Sequence, residues 1–219
     1  MSPNIVENAL KFYIDHLEEP HHRYRSWEHC YDHFQKRSSF KSEADFDIAA
    51  LHLAFYLASW GMYRGSSQVL QRDYKIYIPV IHVLVSPKYK SLWALDFESI
   101  PLDGFEIDFV FELARDIEKT LGQKDITPTR TLITKIIMGT VGCTPAYDRF
   151  FIDGVKSRRG ISASFGHRSY RSLIQFYREN VKEFKKAQAV ISRNRVAYPP
   201  MKLVDMYFWS LGAQRNNVR

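Results

Sequence analysis

The chain has 219 residues, of which 45% are hydrophobic and 25% charged, and this is the composition of an ordinary globular protein. Ten glycines and nine prolines exclude a collagen-like or low-complexity scaffold. Two cysteines, Cys30 and Cys143, exclude a disulfide framework, and the first residues carry no apolar leader, so we expect a cytoplasmic, reducing location. The longest apolar stretches fall short of the roughly 20 residues that a membrane helix needs, so we expect no membrane span.

The net charge of +7 is distributed unevenly along the chain. Residues 149–219 carry 15 Lys and Arg against 4 Asp and Glu, a net charge of +11, which leaves −4 for the rest. A basic surface on one side of a protein indicates a polyanionic partner, and nucleic acid is favoured over a membrane surface because no amphipathic lipid anchor is evident.

Apolar residues at helical spacing predict helices along most of the chain. In the segment that starts at Ile48, apolar residues recur at alternating spacings of three and four and share one helical face. Lys75–Val85 is rich in Ile, Val and Tyr, as strands are, but Pro79 inside it favours a buried helix that starts at the proline. The predicted helices are 4–18, 24–35, 48–62, 79–85, 105–121, 128–138, 145–152, 170–191 and 200–211.

These elements predict an all-α fold, a compact two-lobed helical bundle that forms a single folding unit. The turn cluster Leu121–Pro128 is the best internal boundary, so the lobes are predicted at roughly 1–122 and 123–219. We expect the end of the chain to return to the first lobe.

The segment 134–150 contains the densest set of candidate functional residues. A helix is predicted to end at a Gly-Thr-Val-Gly turn, where Gly139, Thr140 and Gly142 would leave backbone N–H groups open to a phosphate. Asp148 is predicted in the first turn of the next helix, beside Arg149. The alternative is an ordinary turn between two helices, in which the aspartate only complements the helix dipole.

The apolar-Gly-Thr-apolar-Gly pattern at 138–142, with a lysine nearby and an aspartate opening the next helix, resembles the helix-hairpin-helix DNA glycosylases. These all-α enzymes flip a base out of DNA and cleave its N-glycosidic bond. The resemblance spans 128–152 and implies that Asp148 is the catalytic carboxylate. It makes Lys135 a candidate for the lysine that forms a Schiff base in part of the family, although Lys135 precedes the turn and Met138 replaces the usual proline. It also implies a DNA duplex with a flipped base as the partner, and no metal or organic cofactor. The sequence leaves the oligomeric state open, and a monomer is favoured.

A flipped base needs aromatic walls and hydrogen-bond donors for its edge. Trp60, Tyr63 and Arg64 stand at the glycine-broken end of the apolar helix 48–62, and with Tyr147 they are the predicted base pocket. The alternative is a helix end at which Trp and Tyr are packing residues and Arg complements the dipole.

Several cations follow the turn among small, flexible residues. Such a loop can approach a nucleic-acid backbone closely, and phosphate contacts supply most of the affinity that does not depend on sequence. The predicted DNA-binding cations are Arg149, Lys156, Arg158, Arg159, Arg168 and Arg171. A solvated loop is the alternative.

Two further groups of residues are of the types that form chemical sites. His29 and His33 stand four residues apart on a predicted helix, but no second pair of ligands accompanies them, so no metal site is expected. Asp205, within the aromatic-rich segment 198–209, is an acidic alternative to Asp148.

The sequence thus favours a glycosylase-like enzyme that excises a damaged or modified base, and it leaves open whether the substrate is cellular DNA or hypermodified foreign DNA, as in antiviral defence. The alternatives are a helical module that binds nucleic acid without catalysis and a protein-interaction domain.

Overall fold

A computed structural model describes residues 4–17, 19–64, 68–191 and 196–217, and every regular element in these ranges is helical. The predicted all-α fold is therefore confirmed. Short 3-10 helices at Arg23–Arg25, Arg37–Ser39, Tyr74–Tyr77 and Pro87–Ala94 connect longer ones. The α-helices are α1 Ile5–Leu17, α2 Ser26–Gln35, α3 Glu43–Ser59, α4 Ile78–Leu84, α5 Phe105–Gly122, α6 Arg130–Thr140, α7 Arg149–Val155, α8 His167–Glu179, α9 Val181–Ile191 and α10 Pro200–Asn217.

Helix α3 begins at a capping box in which the side chains of Ser42 and Asp45 each bond the other residue's backbone N–H. The predicted helix is present, but it begins at Glu43 and ends at Ser59, so Met62 lies beyond it. The rest of its predicted apolar face is exposed, and Phe55 is 65% exposed. Because α3 is apolar on nearly every side, its neighbours decide which face is buried. α2 and α6 pack against α3, and the hydroxyl of the buried Tyr56 donates a hydrogen bond to the carbonyl oxygen of Lys135 on α6.

Other predicted helix boundaries were also wrong. α10 continues to Asn217, beyond the predicted end at 211. The segment 170–191 forms two helices, α8 and α9, which are separated at Asn180. The helix predicted at 145–152 begins only at Arg149, because the backbone N–H groups before it bond to other helices. The Ala146 N–H donates to Asp205 on α10, and the Tyr147 N–H donates to the Thr134 hydroxyl on α6. The helix predicted to start at Pro79 is confirmed as α4.

Helices from both predicted lobes share one core. α1 packs against α9 and α10 near the end of the chain, and α2 and α3 pack against α6. The buried residues form one hydrophobic cluster that extends from Ile5 to Trp209. The core is therefore common to both ends of the chain, and the division at 122 stays a prediction. Within the described residues, no helix has both the length and the apolar character that a membrane crossing requires.

Glycine permits a close backbone contact between α7 and α10. A Cβ on Gly154 would overlap the carbonyl oxygen of Phe208, and a Cβ on Gly212 would overlap that of Phe150. Each glycine thus lets the backbone of the other helix approach it directly. The contact fixes α7, and with it the residues at its N-terminus, against α10.

Gly154→Ala should therefore destabilise the fold by about 1–3 kcal/mol, because the added methyl must push two backbones apart. Gly122→Ala is the matched control, since nothing lies within 4 Å of its added Cβ. It should be neutral or stabilising, by up to about 1 kcal/mol. Urea unfolding of both variants measures the difference, and equal free energies of unfolding would contradict the proposed close contact.

Candidate active site

A cleft of about 320 Å³ opens between the N-terminus of α7, the end of α3 and α10. Its size is at the lower end of the range for small-molecule sites, about 300–1,000 Å³. Aromatic rings, one carboxylate and three cationic side chains line it. The lining residues are Tyr24, Trp60, Gly61, Met62, Arg64, Thr131, Lys135, Asp148, Arg149, Phe150 and Trp209.

Asp148 is the carboxylate of the cleft and the N-cap of α7. Its Oδ1 accepts the Phe151 N–H at 3.0 Å, and its Oδ2 lies 3.1 Å from the Lys135 Nζ. The side chain is 15% exposed, so the carboxylate is largely shielded while it borders the cleft. A shielded carboxylate that is held on both oxygens is a fixed negative charge.

Lys135 projects from α6 to the cleft and is 4% exposed at its side chain. Besides its ion pair with Asp148, its ammonium lies 5.0 Å from the centre of the Trp60 ring, which is cation–π distance. The carbonyl oxygen of Lys135 accepts the Tyr56 hydroxyl. Both ends of the residue are thus fixed, and the ammonium is oriented toward the carboxylate.

The aromatic walls of the cleft come from four separate parts of the chain. Tyr24 stacks on Trp60 with ring centres 4.3 Å apart and an interplanar angle of 25°. Phe150 on α7 meets Trp209 on α10 edge to face at 4.9 Å. Flat apolar walls of this kind suit a planar ring system.

The mouth of the cleft is cationic. Arg64 and Arg149 are exposed there, and the Arg149 guanidinium lies 4.7 Å from the centre of the Phe150 ring. Within the described residues, neither arginine forms an ion pair with a carboxylate. Because Lys135 is balanced by Asp148, the two arginines give the cleft a net positive charge, which favours an anionic ligand.

A second ion pair lies beneath the cleft. The Lys202 Nζ is 2.9 Å from the Asp205 Oδ2, and both side chains are at most 1% exposed. The Lys202 ammonium is also within 5.1 Å of the centres of the Phe12, Trp27 and Trp60 rings. Burial raises the pKa of the Asp205 carboxyl and lowers that of the Lys202 ammonium, although each partner's charge opposes this effect.

The segment predicted as a phosphate-binding turn lies inside the core, and its first two residues, Gly139 and Thr140, are the last residues of α6. Gly139, Thr140 and Gly142 are buried: Gly139 packs on Tyr56, and the Gly142 N–H donates to the carbonyl oxygen of Ile137. The open N–H groups predicted for this turn are thus covered, and its glycines serve close packing instead. This corrects the expected phosphate contact.

Two residues of the predicted base pocket lie elsewhere. Tyr63 is beside Tyr77 and does not line the cleft. Tyr147 is buried, and its hydroxyl is 2.8 Å from the Ser169 hydroxyl, because the extended segment before α7 turns the ring toward α8. Trp60 and Arg64 do line the cleft, together with Asp148, Lys135 and Arg149.

Sequence reasoning missed other parts of the site. Tyr24 had a usable signal, because it stands in Arg23–Trp27, where basic and aromatic residues alternate as in segments that stack on bases. Phe150 and Trp209 had none, because in the sequence they resemble ordinary core residues. Asp205 does not line the cleft, and its partner Lys202 was overlooked. The available signal was a lysine three residues before an aspartate in the otherwise apolar stretch 201–209.

The predicted basic run spans the connection from α7 to α8 and continues into the first turns of α8, which carry Arg168 and Arg171. Lys156, Arg159, Arg168 and Arg171 are exposed, whereas Arg158 bonds the Tyr207 hydroxyl and lies over Phe176. A groove of about 410 Å³ brings three of the arginines together, namely Arg158, Arg159 and Arg171.

In the described part of the chain, no three His, Cys, Asp or Glu side chains lie close enough together to hold a metal ion. Comparison of the chain with protein-family models, with curated proteins and with solved structures finds no match.

The N-cap role of Asp148 predicts a stability difference between two substitutions. Asparagine can still accept the Phe151 N–H but alanine cannot, and both remove the charge that pairs with Lys135. Asp148→Ala should therefore be less stable than Asp148→Asn by about 0.5–2 kcal/mol in urea unfolding. Equal stability of the two variants would show that the cap contributes nothing.

Proposed function

We propose that this protein is a DNA glycosylase that accepts a flipped, damaged or modified base in the aromatic cleft and hydrolyses its bond to deoxyribose. The observation that carries the proposal is the shielded Asp148–Lys135 pair in a cleft with aromatic walls and a cationic mouth. A nucleotide has the matching parts, which are a planar ring and an anionic phosphate.

The charges and rings of the cleft indicate how a flipped nucleotide would be oriented in it. The base would pack against the aromatic wall that the pairs Tyr24–Trp60 and Phe150–Trp209 form together, since Tyr24 meets Trp209 edge to face at 6.3 Å. The phosphate of the flipped nucleotide would meet Arg64 and Arg149 at the mouth, where the guanidinium groups are exposed. The sugar would then lie between mouth and walls, within reach of Asp148.

The reaction balances without a cofactor. The C1′–N bond breaks, its electron pair leaves with the base, and the sugar becomes cationic at C1′. The Asp148 carboxylate stabilises this charge, water adds to C1′, and the base takes up a proton, which leaves an abasic site and free base. A carboxylate fixed before the reaction contributes because the sugar is cationic only in the transition state.

Lys135 would act through Asp148. Its ammonium is held by the carboxylate and by the Trp60 ring, which fixes Asp148 in place but occupies the nitrogen that a Schiff base would need. We therefore propose a hydrolytic enzyme without a lysine-dependent strand-cleaving step.

The rest of the DNA would follow the basic surface. Arg149 begins α7, and the arginine groove lies beyond the other end of this seven-residue helix, about 10 Å long. A strand whose flipped nucleotide enters the cleft can thus bring neighbouring phosphates to Arg159 and Arg171.

Asp148→Asn tests the catalytic assignment because it keeps the cap of α7 and removes the charge. Base release from duplexes that each carry one modified or damaged base should fall about 10²–10³-fold, measured as alkaline strand scission at the abasic site. Duplex affinity should be equal or higher, since a negative charge near the phosphates has been removed.

Asp73→Asn is the matched control, because Asp73 caps the 3-10 helix Tyr74–Tyr77 and lies outside the cleft. It should release base at the wild-type rate. Wild-type release by Asp148→Asn would overturn the assignment. Salt-sensitive DNA binding by the wild type with no base release would instead favour the module that binds without catalysis.

Borohydride trapping tests the role of Lys135. Because the ammonium pairs with Asp148, we expect no covalent protein–DNA complex when borohydride is added during base release. Lys135→Met should slow release, since Asp148 loses the partner that holds it. A trapped complex that disappears in Lys135→Met would contradict this role and identify Lys135 as the nucleophile.

A further inference from the structure

The segment 141–148 carries Asp148 and has no regular structure of its own. It is held by bonds to other helices: the Tyr170 hydroxyl donates to the Cys143 carbonyl, the Ala146 N–H donates to Asp205, and the Tyr147 N–H donates to Thr134. The Ala146 bond, of 3.1 Å, is the connection to α10, and it lies two residues before the catalytic carboxylate.

Asp205 is well suited to hold this segment because both of its oxygens are occupied. Oδ1 accepts the Ala146 N–H, and Oδ2 lies 2.9 Å from the Lys202 Nζ. Lys202 in turn is enclosed by three rings, of which Trp60 also walls the cleft. The pair therefore connects the segment that carries Asp148 to an aromatic wall of the same cleft.

Stability alone does not explain this pair. Apolar residues of similar volume usually replace a buried ion pair at no cost or with a gain in stability, because both charges must be stripped of water. Lys202 and Asp205 are among the most deeply buried charged residues of the structure, and they lie directly behind the cleft. Their charges thus point to a role in the geometry of the site.

We propose that Asp205, held by Lys202, is a positioning residue of the cleft. By accepting the Ala146 N–H it fixes the segment 141–148 against α10 and so places the Asp148 carboxylate beside Lys135. Asp205 touches no substrate and acts through Asp148. This role presupposes the base-release reaction proposed above, whereas the anchoring of the segment can be measured without it.

Two double variants distinguish the effect of the hydrogen bond between Ala146 and Asp205 from the effect of the charges of Lys202 and Asp205. Lys202→Met with Asp205→Asn removes both charges but keeps an acceptor for the Ala146 N–H. Lys202→Met with Asp205→Leu removes the charges and the acceptor at similar volume. Because neither variant leaves an unpaired buried charge, both should fold, which thermal unfolding checks.

In the leucine variant, the Ala146 amide should exchange hydrogen roughly tenfold faster or more, because a buried hydrogen bond is lost. The maximal rate of base release should fall about 10²-fold, the cost of a small misplacement of a catalytic group, while duplex affinity stays the same. The asparagine variant should retain the protection of Ala146 and most of the rate. Ser210→Ala is the control, since it removes another α10 hydrogen bond, to Asn8, and should leave the rate unchanged.

The proposal is overturned if the leucine variant keeps both Ala146 protection and rate, if the asparagine variant falls as far as the leucine variant, or if duplex affinity drops as much as the rate. If the wild type releases no base, the proposed function fails and amide exchange alone decides the anchoring. In that case the anchor is supported if the Ala146 amide exchanges faster in the leucine variant but not in the asparagine variant. Equal exchange in the two variants overturns it.

Discussion

Two buried lysine–aspartate pairs set the constraint on which the candidate site depends. Lys135–Asp148 and Lys202–Asp205 have N–O distances of 3.1 and 2.9 Å, and their ammonium groups lie 5.0 and 4.7 Å from the centre of the Trp60 ring. Charges that are removed from water must be paired and hydrogen-bonded, so α6, α10 and the segment before α7 can meet only in an arrangement that satisfies all four. One pair borders the cleft and the other lies behind it.

The packing around these pairs is unusually close because it relies on backbone contacts. Gly154 and Gly212 let α7 and α10 touch directly, and this brings Phe150 and Trp209 together at one wall of the cleft. A helix contact made by glycine backbones tolerates little rotation, since each glycine faces a carbonyl oxygen of the other helix. The site is thus built beside this close pair of helices, while Asp148 comes from the irregular segment before α7 and Arg64 from the turn after α3.

Much of the fold could be predicted from the sequence, because helical periodicity depends on local residue order. The orientation of α3 could not be predicted, because the helix is apolar around most of its surface. Only its packing against other helices determines that Tyr56 is buried and Phe55 is exposed. The start of α7 was missed for a similar reason. Its preceding N–H groups bond to Thr134 and Asp205, residues that are distant in sequence or on another helix.

The site was predictable where its residues have a chemical signature. A carboxylate near a turn and an arginine beside a tryptophan drew attention to Asp148, Arg64 and Trp60, all of which line the cleft. The resemblance at 138–142 singled out Asp148 through a turn that is itself buried, so the physical support for Asp148 now comes from the cleft and from Lys135. Trp209 was not predicted, because a ring that walls a cleft and a ring in the core look alike in a sequence.

The central claim is that the cleft excises a base, and mass spectrometry of the soluble products tests it most directly. The wild-type protein would be incubated with DNA that carries a range of damaged and enzymatically modified bases, and the small molecules released would be separated and identified. The account predicts an intact free base from at least one such DNA, in an amount equal to the abasic sites formed. A released nucleotide or nucleoside would contradict it, because the bond broken would then be a phosphodiester bond instead of the N-glycosidic bond.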